Sequence, residues 1–281
     1  MHVVEVNTGV SGYPALLSHV LRCGEPRTVR GRATLDAGPT TVVMHDLTAP
    51  LPLGTGRGVS SAIAAAEAVQ LIGGFSDPAL YPAALDRFRE DDGTFWGAYG
   101  ERVGDQLAAQ VRKLREDSGS RQGVVTLWDP LRDNLSDRRD YPCTVTLLLW
   151  LDNDRLQLNT VMRSQDVWLG TPYDWFQFVQ LQWTIARSLN VDPGIYRHTM
   201  ISTHLYAEEV DRARELVATW YNSGGPADEE RAWQPRGIGA WDGPFAFIQT
   251  RARTLGACET LPCPTRSERW FIDRLVRREE S

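Results

Sequence analysis

Residues 161–178 read VMRSQDVWLGTPYDWFQF. An Arg163-Ser164 pair stands just ahead of one carboxylate, Asp166. A Gly-x-Pro turn then leads to a second, Asp174, set among Tyr173, Trp175 and Phe176. The planar fork of an arginine suits phosphate oxygens, and a serine hydroxyl adds a further donor. A carboxylate among aromatic side chains is costly to bury, so it needs a partner or a task. Upstream, Cys143 follows Pro142 and opens the apolar run CTVTLLLWL. Two roles are open to it: a small buried hydrophobe, or a nucleophile whose thiolate is favoured by the neighbouring Arg132, Arg138 and Arg139. Glu67 is the one charged residue in SSAIAAAEAVQLIGG (60–74). It lies either on an exposed helix face or in a buried place where it has work to do. His204 and Tyr206 alternate on one face of a strand, as a core pair or as a polar pair turned toward a ligand.

These residues need elements to hold them. Serines before 63 and glycines at 73–74 bound a helix over 60–74. Residues 103–117 have helical spacing, with Val103, Leu107, Val111 and Leu114 on one face. Strands are expected over 123–129, 143–151, 155–162 and 198–206, with a turn at DNDR (152–155). Helical spacing returns over 174–189 and in the polar segment 207–220. The turn at 152–155 is short, so Arg163 at the end of one strand can lie beside Cys143 at the start of the other. Helices mixed with hairpin-connected strands favour an α+β fold over a doubly wound sheet. The Gly-rich PLGTGRG (52–58) has no Lys-Ser/Thr after it and is read as a turn, not a phosphate loop.

The chain of 281 residues is 42% hydrophobic and 23% charged, enough for a sizeable core. Its net charge of −6 argues against general nucleic-acid binding. Of 30 basic residues only Lys113 is lysine. Four cysteines (Cys23, Cys143, Cys258, Cys263) do not make a disulfide scaffold at this size, and neither they nor the five histidines have metal-site spacing. No stretch reaches 18 apolar residues, and the first residues lack the charge and apolar core of a leader. The expectation is a soluble cytoplasmic protein with reduced thiols and no membrane or nucleic-acid partner.

Three stretches together resemble thymidylate synthase and its pyrimidine-nucleotide hydroxymethylase relatives: YPC (141–143), RSQDVWLGTPYD (163–174) and STHLY (202–206). VRGRATL (29–35), AAEAVQLIGG (65–74), FWGAYG (95–100) and SRQGVVTLWD (120–129) extend it more weakly, so that it covers about residues 20–215. The resemblance implies one thymidylate synthase-like domain over 1–281: an α+β fold with a mixed β-sheet, flanking helices, and a homodimer through sheet faces. It implies that Cys143 attacks pyrimidine C6 and that Arg163, Ser164 and Arg30 hold the 5′-phosphate, with Arg121 reaching in across the dimer interface. Glu67 organises proton transfer, Tyr99 lies near Cys143, and His204 and Tyr206 bind the sugar. Asp166, with Trp96, contacts the folate, 5,10-methylenetetrahydrofolate. The arginines about the phosphate are expected to favour the thiolate as well.

The resemblance also bears on the product. Thymidylate synthases have an asparagine where Asp174 stands, pairing with uracil, whereas the deoxycytidylate hydroxymethylases of the family carry Asp. A carboxylate accepts from the cytosine amino group, and one proton completes the pair at N3. Mispaired hydrogen-bonding groups reject an analogue by about 10⁴–10⁵. Residues 80–95 lack the tryptophan that favours hydride transfer, and the chain ends in the charged RLVRREES instead of an apolar seal. Both departures favour water, and so a hydroxymethyl product. Thr144, Gln122 and Ser202 replace a histidine, a phosphate arginine and an aspartate of the family pattern. The reading is therefore a cytidylate (CMP or dCMP) 5-hydroxymethylase, with nucleoside-antibiotic biosynthesis as its setting. The alternatives are a divergent thymidylate synthase acting on dUMP and a non-catalytic nucleotide-binding relative.

Overall fold

The computed structural model describes residues 1–81 and 83–224; Cys258, Cys263, Trp233, Trp241, Trp270 and the charged tail lie outside them. In chain order the elements are β1 (His2–Val6), α1 (Gly9–Cys23), β2 (Glu25–Val29), β3 (Arg32–Asp36), β4 (Thr40–Met44), α2 (Ser61–Gly73), α3 (Gly100–Val103), α4 (Gln106–Glu116), β5 (Gly123–Thr126) and α5 (Pro130–Asp133). There follow β6 (Thr144–Asp152), β7 (Arg155–Met162), β8 (Gln165–Asp166), α6 (Thr171–Leu189), β9 (Asp192–Met200), β10 (Thr203–Tyr206) and α7 (Ala207–Asn222). The mixture of helices and hairpins is α+β, as the sequence pattern suggests.

One six-stranded mixed sheet runs β1-β4-β9-β7-β6-β5, and a four-stranded sheet runs β2-β3-β10-β8. β7 and β9 lie parallel. Both leave the first sheet side by side and enter the second as β8 and β10, which are parallel again. The crossing is tied by backbone bonds: Ile201 N–H donates to Met162 O at 3.0 Å, and Gln165 N–H to Ser202 O at 2.8 Å. The expected single strand over 198–206 is thus two strands in two sheets.

The β6–β7 hairpin turns on Asn153 and Asp154, at φ 50° and 56°. Two consecutive left-handed residues make the tight turn whose twist matches paired strands. Asp152 therefore pairs with Arg155, and at the far end Thr144 pairs with Met162.

α6 is the central helix. Gly170 precedes it, Pro172 lies in its first turn, and Asn190 closes it in the left-handed conformation. Fourteen of its residues are buried, with Trp175, Phe178, Val179 and Leu181 in the main core. α2 packs on it through Ala64, Ala65, Ala68 and Phe176. Small alanines let the two backbones approach, so acids on facing sides come together. Ser60 caps α2 by accepting from Ile63 N–H, and Gly74 ends it at φ 69°.

Two elements differ from their expected bounds. The helix over 103–117 is broken at Gly104 into α3 and α4, although Val103, Leu107, Val111 and Leu114 are all buried. The strand over 123–129 stops at Thr126, because Asp129 caps α5, accepting from Leu131 N–H at 2.9 Å. Lys113 on α4 donates to Gln122 O at 3.4 Å, beside the β5 edge of the large sheet.

Candidate active site

The hairpin sets Cys143 opposite Arg163: Arg163 N–H donates to Cys143 O at 2.8 Å. The guanidinium turns back along the same segment, donating to Pro142 O at 3.0 Å and Tyr141 O at 3.1 Å. Trp128 lies beneath it, 5.5 Å from the ring centroid. Cys143, Arg163 and Ser164 thus stand at the place where the chain passes between sheets.

Asp174, 7% exposed, sits in the first turn of α6. Its Oδ2 accepts from Gln165 Nε2 at 2.8 Å and its Oδ1 from Gln177 Nε2 at 3.0 Å. Burial pushes this carboxyl up to about 7, although the two amide donors pull it down; the nearby Asp166 raises it further. Glu67, half-buried on α2, faces it; Gln177 Nε2 also lies 3.5 Å from Glu67 Oε2, at the outer limit of a hydrogen bond. Burial, and then repulsion from Asp174, pushes Glu67 up to about 8. Two acids with raised affinity for a proton therefore stand side by side, Asp174 buried and Glu67 half-buried. Tyr99 joins it from the start of α3, stacked on Phe178 at 5.9 Å. Burial, with the charges of Asp174 and Cys143, holds its hydroxyl well above the ordinary tyrosine value.

The expectation of a lowered thiol pKa at Cys143 is corrected. Burial pushes it up to about 11; Arg163 pulls it down, but Asp140, Asp174 and Asp166 push it up. The other arginines point elsewhere: Arg132 and Arg138 lie 4.0 Å from the Trp96 ring centroid, and Arg139 pairs with Asp91. In the ligand-free chain Cys143 is a thiol.

His204 and Tyr206 lie on β10 with rings 5.3 Å apart, edge to face. His204 Nδ1 is 3.3 Å from Ser202 Oγ, which donates to Asp36 Oδ2 at 2.8 Å. Asp36 on β3 thus brings a carboxylate to the place where Ser202 departs from the family pattern. Asp166 pairs with His204 across β8 and β10, and its Oδ1 accepts from Trp168 N–H and Leu169 N–H, both at 2.9 Å.

Trp96 belongs to a different environment. Its Nε1 donates to Asp133 Oδ1 at 2.9 Å. Asp133 is bound by Arg102, whose Nη1 donates to Asp133 Oδ2 at 2.7 Å and to Leu127 O at 2.9 Å. With two guanidiniums against its ring, Trp96 is poorly disposed to stack on a pterin. Asp166, a carboxyl at the strand edge, suits an amino-bearing ring edge better. Arg30 stands at the β2–β3 turn at φ 51°. Thr34 pairs with Tyr206, so the register carries Arg30 beyond the C-terminal end of β10, whereas Arg163 lies before its start. Arg121 is exposed just ahead of the edge strand β5, and this single chain brings neither Arg30 nor Arg121 to Arg163.

Four side chains at the site have no counterpart among the sequence-based candidates: Gln165, Gln177, His198 and Tyr196. Gln177 follows Asp174 by three residues on one helix face, a signal present in the sequence. The others meet Asp174 only through strand pairing.

The hairpin thus places the Cys143 thiol near the buried Asp174 within one α+β core. The thymidylate synthase family model matches residues 11–223, and the chain belongs to that family. It is 28% identical over 218 residues to a deoxyuridylate hydroxymethyltransferase of Bacillus phage SP01, covering 70% of this chain and 57% of the relative. A deoxyuridylate hydroxymethyltransferase of Pseudomonas phage M6 is 32% identical over 161 residues, 54% of this chain and 46% of the relative. A thymidylate synthase of Listeria innocua serovar 6a is 26% identical over 165 residues, covering 50% and 52%. The chain spans about half the length of these relatives. No helix among the described residues is long and apolar enough to cross a membrane.

Proposed function

We propose that this chain hydroxymethylates C5 of a cytosine nucleotide, CMP or dCMP, through a covalent Cys143–C6 adduct. 5,10-Methylenetetrahydrofolate, when bound, supplies the one-carbon unit. The observation that carries the base assignment is Asp174, a buried acid poised at about 7. Near neutral pH such a group offers both an acceptor and an O–H donor. The cytosine edge asks for that pair, since N4–H donates and N3 accepts. Addition of the Cys143 sulfur at C6 puts electron density on C5. Glu67, poised at about 8, holds or releases a proton beside the ring. The C5 proton is lost to a base beside the ring, water supplies the hydroxyl oxygen of the new group, and elimination of the sulfur from C6 then restores the thiolate and the aromatic ring. Arg163 and Ser164 take the phosphate, and His204 and Tyr206 the sugar. A homodimer, with Arg121 supplied by the partner, completes the phosphate cluster. Nucleoside-antibiotic biosynthesis is the setting in this reading.

A second reading has support of its own: two relatives are named for deoxyuridylate. The test separates them. The protein is incubated with CMP, dCMP, UMP or dUMP, tetrahydrofolate and formaldehyde, and product masses and tritium release from C5-labelled nucleotide are measured. The expected result is a gain of CH2O on a cytosine nucleotide, with Asp174→Asn moving activity toward uracil. Turnover of dUMP alone, by the unaltered protein, overturns the cytosine assignment. No C5 exchange with any of the four leaves a nucleotide-binding relative.

A further inference from the structure

Behind Asp174 a line of buried polar groups runs into the core. Gln165 Nε2 donates to Asp174 Oδ2 at 2.8 Å, and Gln165 Oε1 lies 3.0 Å from His198 Nε2. His198 Nδ1 lies 2.7 Å from the Tyr196 hydroxyl, whose one hydrogen also has Thr160 Oγ1 within reach as an acceptor at 3.3 Å. His198, Tyr196 and Thr160 are fully buried, and Gln165 nearly so. Among the described residues no charged group compensates an imidazolium here, and burial lowers His198 to about 3, so the ring is neutral.

A neutral imidazole has one N–H and one lone pair, so the line has a direction. With the Gln165 amide nitrogen on Asp174, its carbonyl oxygen faces His198. His198 must then carry its hydrogen on Nε2 and accept on Nδ1, and the Tyr196 O–H turns to it at 2.7 Å in preference to Thr160 Oγ1 at 3.3 Å. While Asp174 is ionised, reversing any one link sets two acceptors or two donors against each other at hydrogen-bond distance, inside a core where that costs roughly 1–3 kcal/mol; only a protonated Asp174 lets the whole line turn round, ending with Tyr196 O–H on Thr160 Oγ1. Gln177 donates to the other oxygen, Oδ1, at 3.0 Å. Each carboxylate oxygen is thus held by an amide donor, and a proton taken up by Asp174 is left to the remaining lone pairs. Gly170 leaves room for this: a Cβ there falls 2.8 Å from Gln165 Nε2 and 3.3 Å from Asp174 Oδ2.

We propose that Tyr196, His198 and Gln165 form a directed hydrogen-bond chain that positions Asp174 as an acceptor on its inner side, making Gln165 and His198 specificity-determining positioning residues for the base. The inference rests on the reading of Asp174 as the group that recognises the base. The other ionisable groups about Asp174 are Glu67 on α2, Asp166 on β8, Tyr99 at α3, and Cys143 before β6.

Two measurements on the full chain test it. The first is kcat and KM for C5 tritium release from the four nucleotides, for Gln165→Leu, His198→Phe, His198→Gln and Tyr196→Phe, each alone and combined with Asp174→Asn. With Asp174 present, Gln165→Leu and His198→Phe should cut the cytosine-over-uracil preference about 10–100-fold, the range expected of a hydrogen bond to a charged group. His198→Gln, which keeps an N–H donor, should restore most of it, and Tyr196→Phe should lose less. In the Asp174→Asn background the same changes should move the preference less than about threefold. Equal losses on all four nucleotides, of equal size in both backgrounds, overturn the proposal. The second measurement is independent of the base: carboxyl titration of Asp174 by carbon NMR, expected to shift upward in Gln165→Leu and in the milder Tyr196→Phe. Unmoved titration in both variants overturns the chain itself. If Asp174→Asn alone leaves base preference unchanged, the base reading fails, and the specificity role with it, whatever the titration shows.

Discussion

Cys143 and Asp174 are set against their ordinary chemistry. A thiol at about 11 is ionised in on the order of one molecule in 10⁴ at pH 7. The exposed Cys23 should therefore be alkylated by iodoacetamide before Cys143, with the Cys143 rate climbing as pH rises toward 11, as followed by peptide mass spectrometry. Arg163→Ala removes the one guanidinium that draws the thiol down and should slow Cys143 further at fixed pH. Activation in turnover then belongs to the assembled complex, not to the resting chain. At Gly170 a methyl group intrudes on the Gln165 amide, so Gly170→Ala should lower the unfolding free energy by about 1 kcal/mol, as measured by urea unfolding. Cys143, Arg163 and Asp174 were legible as chemistry because residue type and order mark them. His198 and Gln165 were not, because their meeting depends on which strands pair.

The elements explain which parts of the fold could be read. The β6–β7 hairpin announces itself through alternation and a polar turn; its two left-handed residues set the register from Asp152 to Thr146, and a one-residue irregularity at Val145 then shifts the pairing so that Cys143 comes to Arg163. A β-branched residue resists that conformation. Asp154→Val should destabilise by roughly 1–3 kcal/mol in urea unfolding and reduce activity together with stability. α1 was not legible. Gly9, Gly12 and Pro14 all argue against a helix, yet Thr8 caps it and nine of its residues are buried. Tertiary packing overrides propensity there. The break at Gly104 was likewise hidden, since the apolar spacing continues across it. Arg102 and Asp133, side chains 3% and 0% exposed, join α3 to α5. Burial pushes the Asp133 carboxyl up, but donation from Arg102 holds it below its ordinary value. Arg102→Met strands that charge, and should cost about 3–5 kcal/mol.

For the molecule as a whole, the two acids make stability depend on pH. Glu67 and Asp174 have ordinary values of 4.5 and 3.8 and are raised to about 8 and 7. Between these limits the native state binds more protons than the unfolded chain, so this contribution is full below pH 4 and is lost as pH rises through 7 and 8. The urea midpoint of the ligand-free protein should fall over that range, and Glu67→Gln should flatten the fall. A midpoint that rises over the same window contradicts the buried-acid account.

The solitary lysine on α4 offers a practical handle. Lys113 stands beside the β5 margin, close in sequence to Arg121, and the described chain has no other side-chain amine. An amine-directed dye at high pH should mark this spot and the N-terminus alone. Mixing donor-labelled and acceptor-labelled protein then turns the margin into a proximity gauge, and energy transfer between chains would report a second copy arriving there without any engineered cysteine.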